Sequence, residues 1–268
     1  MLASFDTHLF WTALTSGPYW KGALLALALA LVSAAGAGGR AGTFTYCTDP
    51  TFPPMELTST SGAITGFDVD MASALAPTFG ESAKALKTAF PGLIAALNAK
   101  KCNAVISGIF VTPDRLKQAG AAGYMATHRV FIVKAGNPKH VMAPADLKGL
   151  NVAVQTGTKY EAYLKAQKAK IGFNLQGYPG DNDAVAQVIL GRADVVLTQD
   201  TSFAFQAKAH PGKIAVAYTF PQKDTFGIYY RKGDPLGPKI AAGLKTLKSN
   251  GTLAKLAKKY KIPVGDVK

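Results

Sequence analysis

The feature that most constrains the fold is an alternation of short apolar stretches with helical stretches, which runs from residue 43 almost to the end of the chain. This alternation is typical of α/β proteins with largely parallel sheets, because a helix carries the chain back between parallel strands. The predicted strands are 43–47, 104–107, 129–133, 151–154, 194–197, 214–216 and 226–230. The predicted helices cover about 66–79, 90–99, 158–164, 183–190, 235–247 and 252–260, with shorter ones after residues 112 and 200.

The ends of the predicted strands indicate a candidate binding site. Ligands of parallel sheets bind at the carboxyl ends of the strands, next to helix N-termini. The residues at these positions are Asp49, Phe52, Phe90, Ser107, Arg115, Thr158, Tyr160, Gln199 and Asp200. We expect Asp68 and Thr112, in contrast, to cap helices.

The first 42 residues differ from the rest of the chain. Lys21 precedes a short apolar run, Ala23–Val32, which is followed by small residues. This arrangement is typical of a secretory signal peptide, and the run is shorter than the roughly 20 residues that span a bilayer. The preceding segment is long and aromatic, similar to the start of a transporter permease. Residues 1–42 are therefore predicted to be a signal peptide or, if uncleaved, an N-terminal membrane anchor, with the rest of the chain in the periplasm.

Charge and residue spacing exclude several functions. Lys and Arg total 30 against 16 for Asp and Glu, but the basic residues are spread singly and form no nucleic-acid footprint. Two cysteines and four scattered histidines give no metal-ligand spacing, and no phosphate-binding loop motif or nucleophile–base pair is present. We expect no cofactor and no nucleic-acid partner.

Several short motifs together resemble the extracellular solute-binding proteins of polar amino-acid ABC transporters, family 3. The resemblance covers about residues 43–262, and its specificity comes from the order and spacing of the motifs. The motifs are TDPTFPP (48–54), GFDVD (66–70), FPGLIAAL (90–97), ISG (106–108), TPDR (112–115), LKG (147–149), GRAD (191–194) and NGT (250–252).

The family resemblance implies a two-lobe α/β fold of the type II periplasmic-binding-protein class, in which two strands form the hinge. It places the first lobe at 43–127 and 223–268, and the second at 128–222. The hinge is expected near 126–128 and 220–224. Such a protein is expected to be a monomer.

The same resemblance assigns ligand contacts. Arg115 matches the arginine that binds the ligand α-carboxylate, which suits a forked guanidinium. Thr158 matches a second carboxylate contact at a helix start. The remaining matches are Ser107 and Gly108 as polar partners, Phe52 and Phe90 as the aromatic walls, and Asp49 as an acidic cleft position.

Three positions depart from the family pattern. Phe110 replaces a small hydroxyl residue, and Tyr160 replaces a polar amide or small residue. The acidic residue that binds the ligand ammonium is replaced by Gln199, with Asp200 one position later, and either of the two is a candidate for that contact.

The resemblance predicts a protein that binds a free amino acid between closing lobes and delivers it to permease subunits in the inner membrane, without catalysis. An alternative is a cyclohexadienyl or arogenate dehydratase on the same fold, for which Glu56 and Glu161 are conceivable acids. A second alternative is a periplasmic sensor module. The family fold places Cys47 and Cys102 on adjacent strands, and whether they form a disulfide is left open.

Overall fold

The computed structural model of the chain describes residues 42–267, so the predicted leader lies outside it except for its last residue. The strands are β1 Gly42–Thr48, β2 Thr51–Phe52, β3 Glu56–Thr58, β4 Ile64–Thr65, β5 Glu81–Lys87, β6 Ala104–Val105, β7 Gly120–Lys134, β8 Asn151–Gln155, β9 Asn174–Tyr178, β10 Val195–Gln199 and β11 Ile214–Tyr230. The α-helices are α1 Phe67–Leu75, α2 Leu93–Asn98, α3 Pro113–Gln118, α4 Lys159–Ile171, α5 Asp181–Ile189, α6 Asp200–Ala209, α7 Leu236–Ser249 and α8 Thr252–Tyr260. Short 3₁₀ helices cover Ala76–Phe79, Phe90–Gly92, Pro144–Leu147 and Val264–Asp266.

Eight strands form one continuous sheet in the order β5–β1–β6–β11–β7–β10–β8–β9. Each end of this sheet is a parallel trio, with β5, β1 and β6 at one end and β10, β8 and β9 at the other. The remaining strands, β2–β4, form a small antiparallel sheet. Within residues 42–267, no helix has the length and apolarity needed to cross a membrane.

The central strands β7 and β11 join the two trios. They contain 15 and 17 residues, longer than most strands, and pair antiparallel toward both ends, with the largest register shift between Thr219 and Lys223. Strand β6 pairs with β11 at Tyr229 and Tyr230, whereas β10 pairs with β7 at 129–133, near the opposite end of this long pair. The predicted fold is therefore confirmed: two α/β lobes are connected by two strands. The lobe limits and hinge positions stay predictions.

The largest differences from the predicted elements lie at the sheet edges and centre. Strands β5 and β9 were not predicted, because they form the two edges of the sheet and contain few apolar residues. Strand β7 begins at Gly120, nine residues earlier than predicted. Strand β11 is continuous where two short strands were predicted, because its exposed middle segment lacks the apolar pattern of its ends.

A disulfide joins the first lobe's strands. Strands β1 and β6 are parallel neighbours, and Cys47 on β1 is bonded to Cys102 just before β6, with 5.7 Å between their Cα atoms. The sequence alone left this bond open. The structure therefore adds a covalent link between two segments that lie 55 residues apart in the chain.

Reduction of this disulfide is expected to lower the free energy of unfolding by about 4 kcal/mol, because the bond restricts a long loop in the unfolded chain. Urea unfolding with and without dithiothreitol measures the difference. The double variant C47S/C102S is the control, since reductant should not move its midpoint. Equal midpoints for the oxidised and reduced wild-type protein would contradict the prediction.

Candidate functional site

A cavity lies where the carboxyl ends of parallel strands from both lobes face each other. Loops after β1, β5 and β6 form one wall, and the loops after β8 and β10 form the other. The empty volume between them, including its opening to solvent, is about 270 Å³. The lining residues are Phe52, Phe90, Gly108, Phe110, Arg115, Gln155, Thr158, Lys159, Tyr160 and Gln199.

Eight of the eleven predicted site residues line this cavity, and the other three do not. Asp49 and Ser107 lie behind the lining, where both are buried. Asp200 faces strand β7, where its carboxylate accepts hydrogen bonds from the Thr127 hydroxyl and from the His128 N–H at 3.1 Å. Of the two candidates for the ammonium contact, only Gln199 is at the cavity.

Sequence reasoning missed two lining residues, Gln155 and Lys159. Gln155 is the last residue of β8, so the strand-end rule could have selected it. Lys159 is the first residue of α4 and lies between two residues that were selected.

The aromatic walls rest on a buried ring beneath them. Phe110 stacks on Phe226 with 4.9 Å between ring centroids, and Tyr160 meets Phe110 edge-on at 5.5 Å. Phe52 contacts the edge of the same Phe226 ring. Gly108 has a positive φ of 45°, and a Cβ there would lie 2.6 Å from the Phe52 ring. Only glycine therefore allows Phe52 this position.

Arg115 places a cation at the cavity. The Thr112 hydroxyl caps α3 by accepting from the Arg115 N–H at 3.3 Å, as predicted from the sequence. The guanidinium lies over the Phe90 ring at 5.6 Å and donates to the carbonyls of Phe110 and Gly157 at 3.1 and 3.2 Å. Burial lowers the pKa of Arg115, but an arginine starts so high that it stays charged. Since a guanidinium has five N–H donors, it can also bind a carboxylate.

The start of α4 faces Arg115 from the second lobe. The Thr158 hydroxyl accepts from the Glu161 N–H at 3.1 Å and donates to the Gln155 carbonyl at 2.7 Å. It therefore serves as the helix cap. The positive end of the helix dipole and the first backbone N–H groups then provide the anion-binding capacity at this wall.

The lobes meet closely at Gly157, in the loop before α4. Its φ is +74°, and a Cβ there would lie 2.9 Å from Pro91 of the first lobe. The same residue's carbonyl accepts the Arg115 hydrogen bond. The contact between lobes therefore depends on the absence of a side chain at this position.

Two buried polar atoms at the cavity have no hydrogen-bond partner among the residues that the structure describes beyond each other's side chain. They are the Tyr160 hydroxyl and the Gln199 Oε1, on side chains 4% and 2% exposed. Burial raises the pKa of Tyr160 well above its ordinary value, so the phenol is neutral. Buried polar atoms are normally hydrogen-bonded, so this pair marks where a ligand would supply donors or acceptors. In the described part of the chain, no group of three or more His, Cys, Asp or Glu is placed to hold a metal ion.

A buried pair of carboxyl groups supports the loop at the end of β6. The Ser107 hydroxyl donates to Glu56 at 3.0 Å and accepts from the Asp49 N–H at 2.9 Å. Asp68 accepts from the Gly108 N–H at 2.7 Å and from the Tyr124 hydroxyl at 2.8 Å. The predicted capping role of Asp68 is wrong, because its side chain points into the core and binds this loop instead.

Both carboxyl groups of this pair have raised pKa values. Burial, with a further contribution from the negative charge of Asp68, raises the pKa of Glu56 well above its ordinary value. Burial also raises the pKa of Asp68 to about 6. The buried pair therefore holds a proton more readily than exposed carboxyl groups do.

Comparison with known families identifies the chain. The model of the bacterial extracellular solute-binding proteins, family 3, matches residues 44–262. The chain belongs to this family. The resemblance stated from the sequence motifs is thereby confirmed.

Individual relatives agree with this family assignment. The arginine-binding periplasmic protein of Mannheimia haemolytica is 30% identical over 218 residues, which cover 79% of this chain and 88% of the relative. The structure of an ancestral arginine-binding protein bound to arginine has a TM-score of 0.78 at 29% identity, covering 82% of this chain and 99% of that one. The ancestral amino acid-binding protein AncCDT-1, described as a precursor of cyclohexadienyl dehydratase, has a TM-score of 0.74 at 32% identity, covering 82% and 95%.

The buried carboxyl pair makes stability depend on pH. Glu56 and Asp68 have folded-state pKa values above those of an unfolded chain, so their contribution to stability is complete below about pH 4 and is lost as pH rises through the folded values. The substitution Glu56→Gln keeps the shape and hydrogen-bonding capacity but cannot ionise. We expect it to flatten the fall of the unfolding free energy that begins near pH 4, where the unfolded carboxyl groups ionise, and continues up to the raised folded pKa values, measured by urea unfolding.

Asp114→Asn is the matched control. Asp114 is exposed on α3, and its ion pair with Lys117 lowers its pKa. Its substitution should therefore leave the fall of the unfolding free energy with rising pH unchanged. Burial also raises the pKa of Asp181 to about 6. Because Asp181 is unchanged in both variants, its contribution to the pH dependence is the same in each. If the unfolding free energy fell equally with rising pH in wild type and Glu56→Gln, the raised pKa assigned to Glu56 would be contradicted.

Proposed function

We propose that this chain is the periplasmic substrate-binding component of an amino-acid ABC transporter, which binds a free amino acid between its lobes and delivers it to the permease. The observation that carries the proposal is the position of Arg115 opposite the N-terminus of α4. A guanidinium from one lobe and a helix start from the other are suited to the two oxygens of one α-carboxylate.

Contacts across the cavity support a closing mechanism. Arg115 donates to the Gly157 carbonyl of the second lobe, and Gln155 of the second lobe donates to Asp49 of the first. A ligand held by both walls gains its full set of contacts only in the closed state. Its binding energy therefore shifts the protein from open to closed, which is the signal a permease would read.

The export of the protein is supported by two features. The sequence pattern of residues 1–42 is typical of a signal peptide, and a disulfide such as Cys47–Cys102 persists in oxidising compartments such as the periplasm. The names of relatives that are periplasmic binding proteins agree with this location.

Arg115→Ala is expected to weaken amino-acid binding by at least about 30-fold, because removing one partner of a desolvated charge pair costs about 2–5 kcal/mol. Isothermal titration calorimetry across the amino acids measures the affinity. Arg192→Ala, at an exposed position on the second lobe, is the control and should bind as wild type does. Unchanged affinity in Arg115→Ala would refute the carboxylate assignment.

The similarity to AncCDT-1 keeps a dehydratase as the second candidate. That reaction needs a carboxylic acid at the ligand. Glu56 is buried behind the loop at Ser107, and Glu161 accepts from the Gly157 N–H and pairs with Lys165, so neither lines the cavity. Incubation with prephenate tests this candidate, and formation of phenylpyruvate would overturn the non-enzymatic proposal.

A further inference from the structure

The cavity has no carboxylate among its described lining residues. Of the aspartates near it, buried Asp181 is held by the Thr198 and Ser202 hydroxyls, and three others remain. Asp200 is turned toward β7. Asp224 forms ion pairs with Arg129, at 2.9 Å, and with the lining residue Lys159. The third is Asp49, which directly follows β1 and lies behind the first-lobe wall of the cavity.

Gln155 covers Asp49. The Asp49 carboxylate accepts from the Phe90 N–H at 2.9 Å and from the Gln155 side-chain amide at 3.1 Å. The same amide nitrogen lies 3.4 Å from the Thr51 hydroxyl and 3.3 Å from the Pro179 carbonyl, so it is held from several sides. The Gln155 side chain thus lies at the cavity, whereas the carboxylate behind it does not.

The groups that do face the cavity are cationic, neutral or aromatic. Arg115 contributes positive charge, and Lys159, whose charge is balanced by Asp224, lies 5.8 Å from the centre of the Phe110 ring. The Gln199 and Tyr160 side chains, which interact with each other, are uncharged. A cationic side chain that entered this cavity would lose its water without meeting an anion, a larger penalty than contact with a ring face repays.

We infer that the site selects amino acids whose side chain is uncharged, and that Gln155 determines this selectivity by covering Asp49. This inference rests on the proposed function, since it specifies the ligand class of the same cavity. A ligand of this class supplies a carboxylate to Arg115, one set of N–H donors to the neutral acceptors, and a side chain that packs on the aromatic rings.

Ligand pairs matched in shape test the charge selectivity. Citrulline has the length of arginine with an uncharged ureido group, and norleucine is close in shape to lysine without its ammonium. Calorimetry with the full-length protein is expected to give at least tenfold tighter binding of citrulline than of arginine, and of norleucine than of lysine. Tighter binding of arginine and lysine would overturn the inference.

The substitution Gln155→Met tests the role of Gln155. It keeps the length of the side chain but removes the amide that binds Asp49, so the arginine-to-citrulline affinity ratio should rise at least tenfold. Adding Asp49→Asn to Gln155→Met should return the ratio to that of wild type, because the uncovered carboxylate is then neutral. Gln118→Met, on the exposed face of α3, is the matched control and should leave the ratio unchanged. A ratio that does not respond to Gln155→Met would overturn the assignment to Gln155.

The outcomes separate this inference from the proposed function. If the folded wild-type protein binds no amino acid at all, the proposed function fails, and the inference fails with it. If it binds amino acids but prefers the cationic member of each pair, the proposed function stands and only the inference fails.

Should Gln155→Met fail to fold, the two wild-type ligand pairs still decide the charge selectivity, and the single variant Asp49→Asn decides the role of the covered carboxylate. That variant should leave the wild-type ratio unchanged, and a fall in the ratio would show that Asp49 already reaches the ligand.

Discussion

The antiparallel pairing of β7 with β11 is the constraint on which the rest of the molecule depends. The two parallel trios attach near opposite ends of this long antiparallel pair, which places the carboxyl ends of their strands on either side of one cavity. Loops that lie far apart in the sequence, such as those holding Arg115 and Gly157, come within hydrogen-bonding distance only through this arrangement. A sheet in which each trio ended separately would have two half-sites and no cavity.

Much of this arrangement could be predicted from the sequence, because buried parallel strands have a strong apolar signal and their carboxyl ends mark the site. This reasoning located most of the lining residues, including Arg115 and Tyr160. It could not find β5 and β9, because edge strands half exposed to water lack the apolar signal. It also could not show that β11 is continuous, because the exposed segment around Pro221 and Gln222, where the register with β7 shifts, lacks the apolar pattern of the strand ends.

The remaining errors concern the direction in which single side chains point. Gln199 ends a strand and Asp200 begins a helix, and that one-residue step turns the first toward the cavity and the second toward β7. Asp68 stands one residue inside α1, where a cap is plausible from sequence, but tertiary contacts with Gly108 and Tyr124 fix its side chain in the core. Local sequence determines the element, whereas the partner across the fold determines the orientation.

The contact of Gly157 with Pro91 has a consequence for how the protein could be tuned. The gap between the lobes at this point is smaller than a methyl group requires, so a single added carbon atom would act as a wedge that favours the open form. The added atom itself would meet Pro91 and not the aromatic rings or the Gln199 side chain, although the Gly157 carbonyl binds Arg115. For the closing mechanism proposed above, the spacing of the lobes could therefore be adjusted at a residue that contributes no side chain to the cavity.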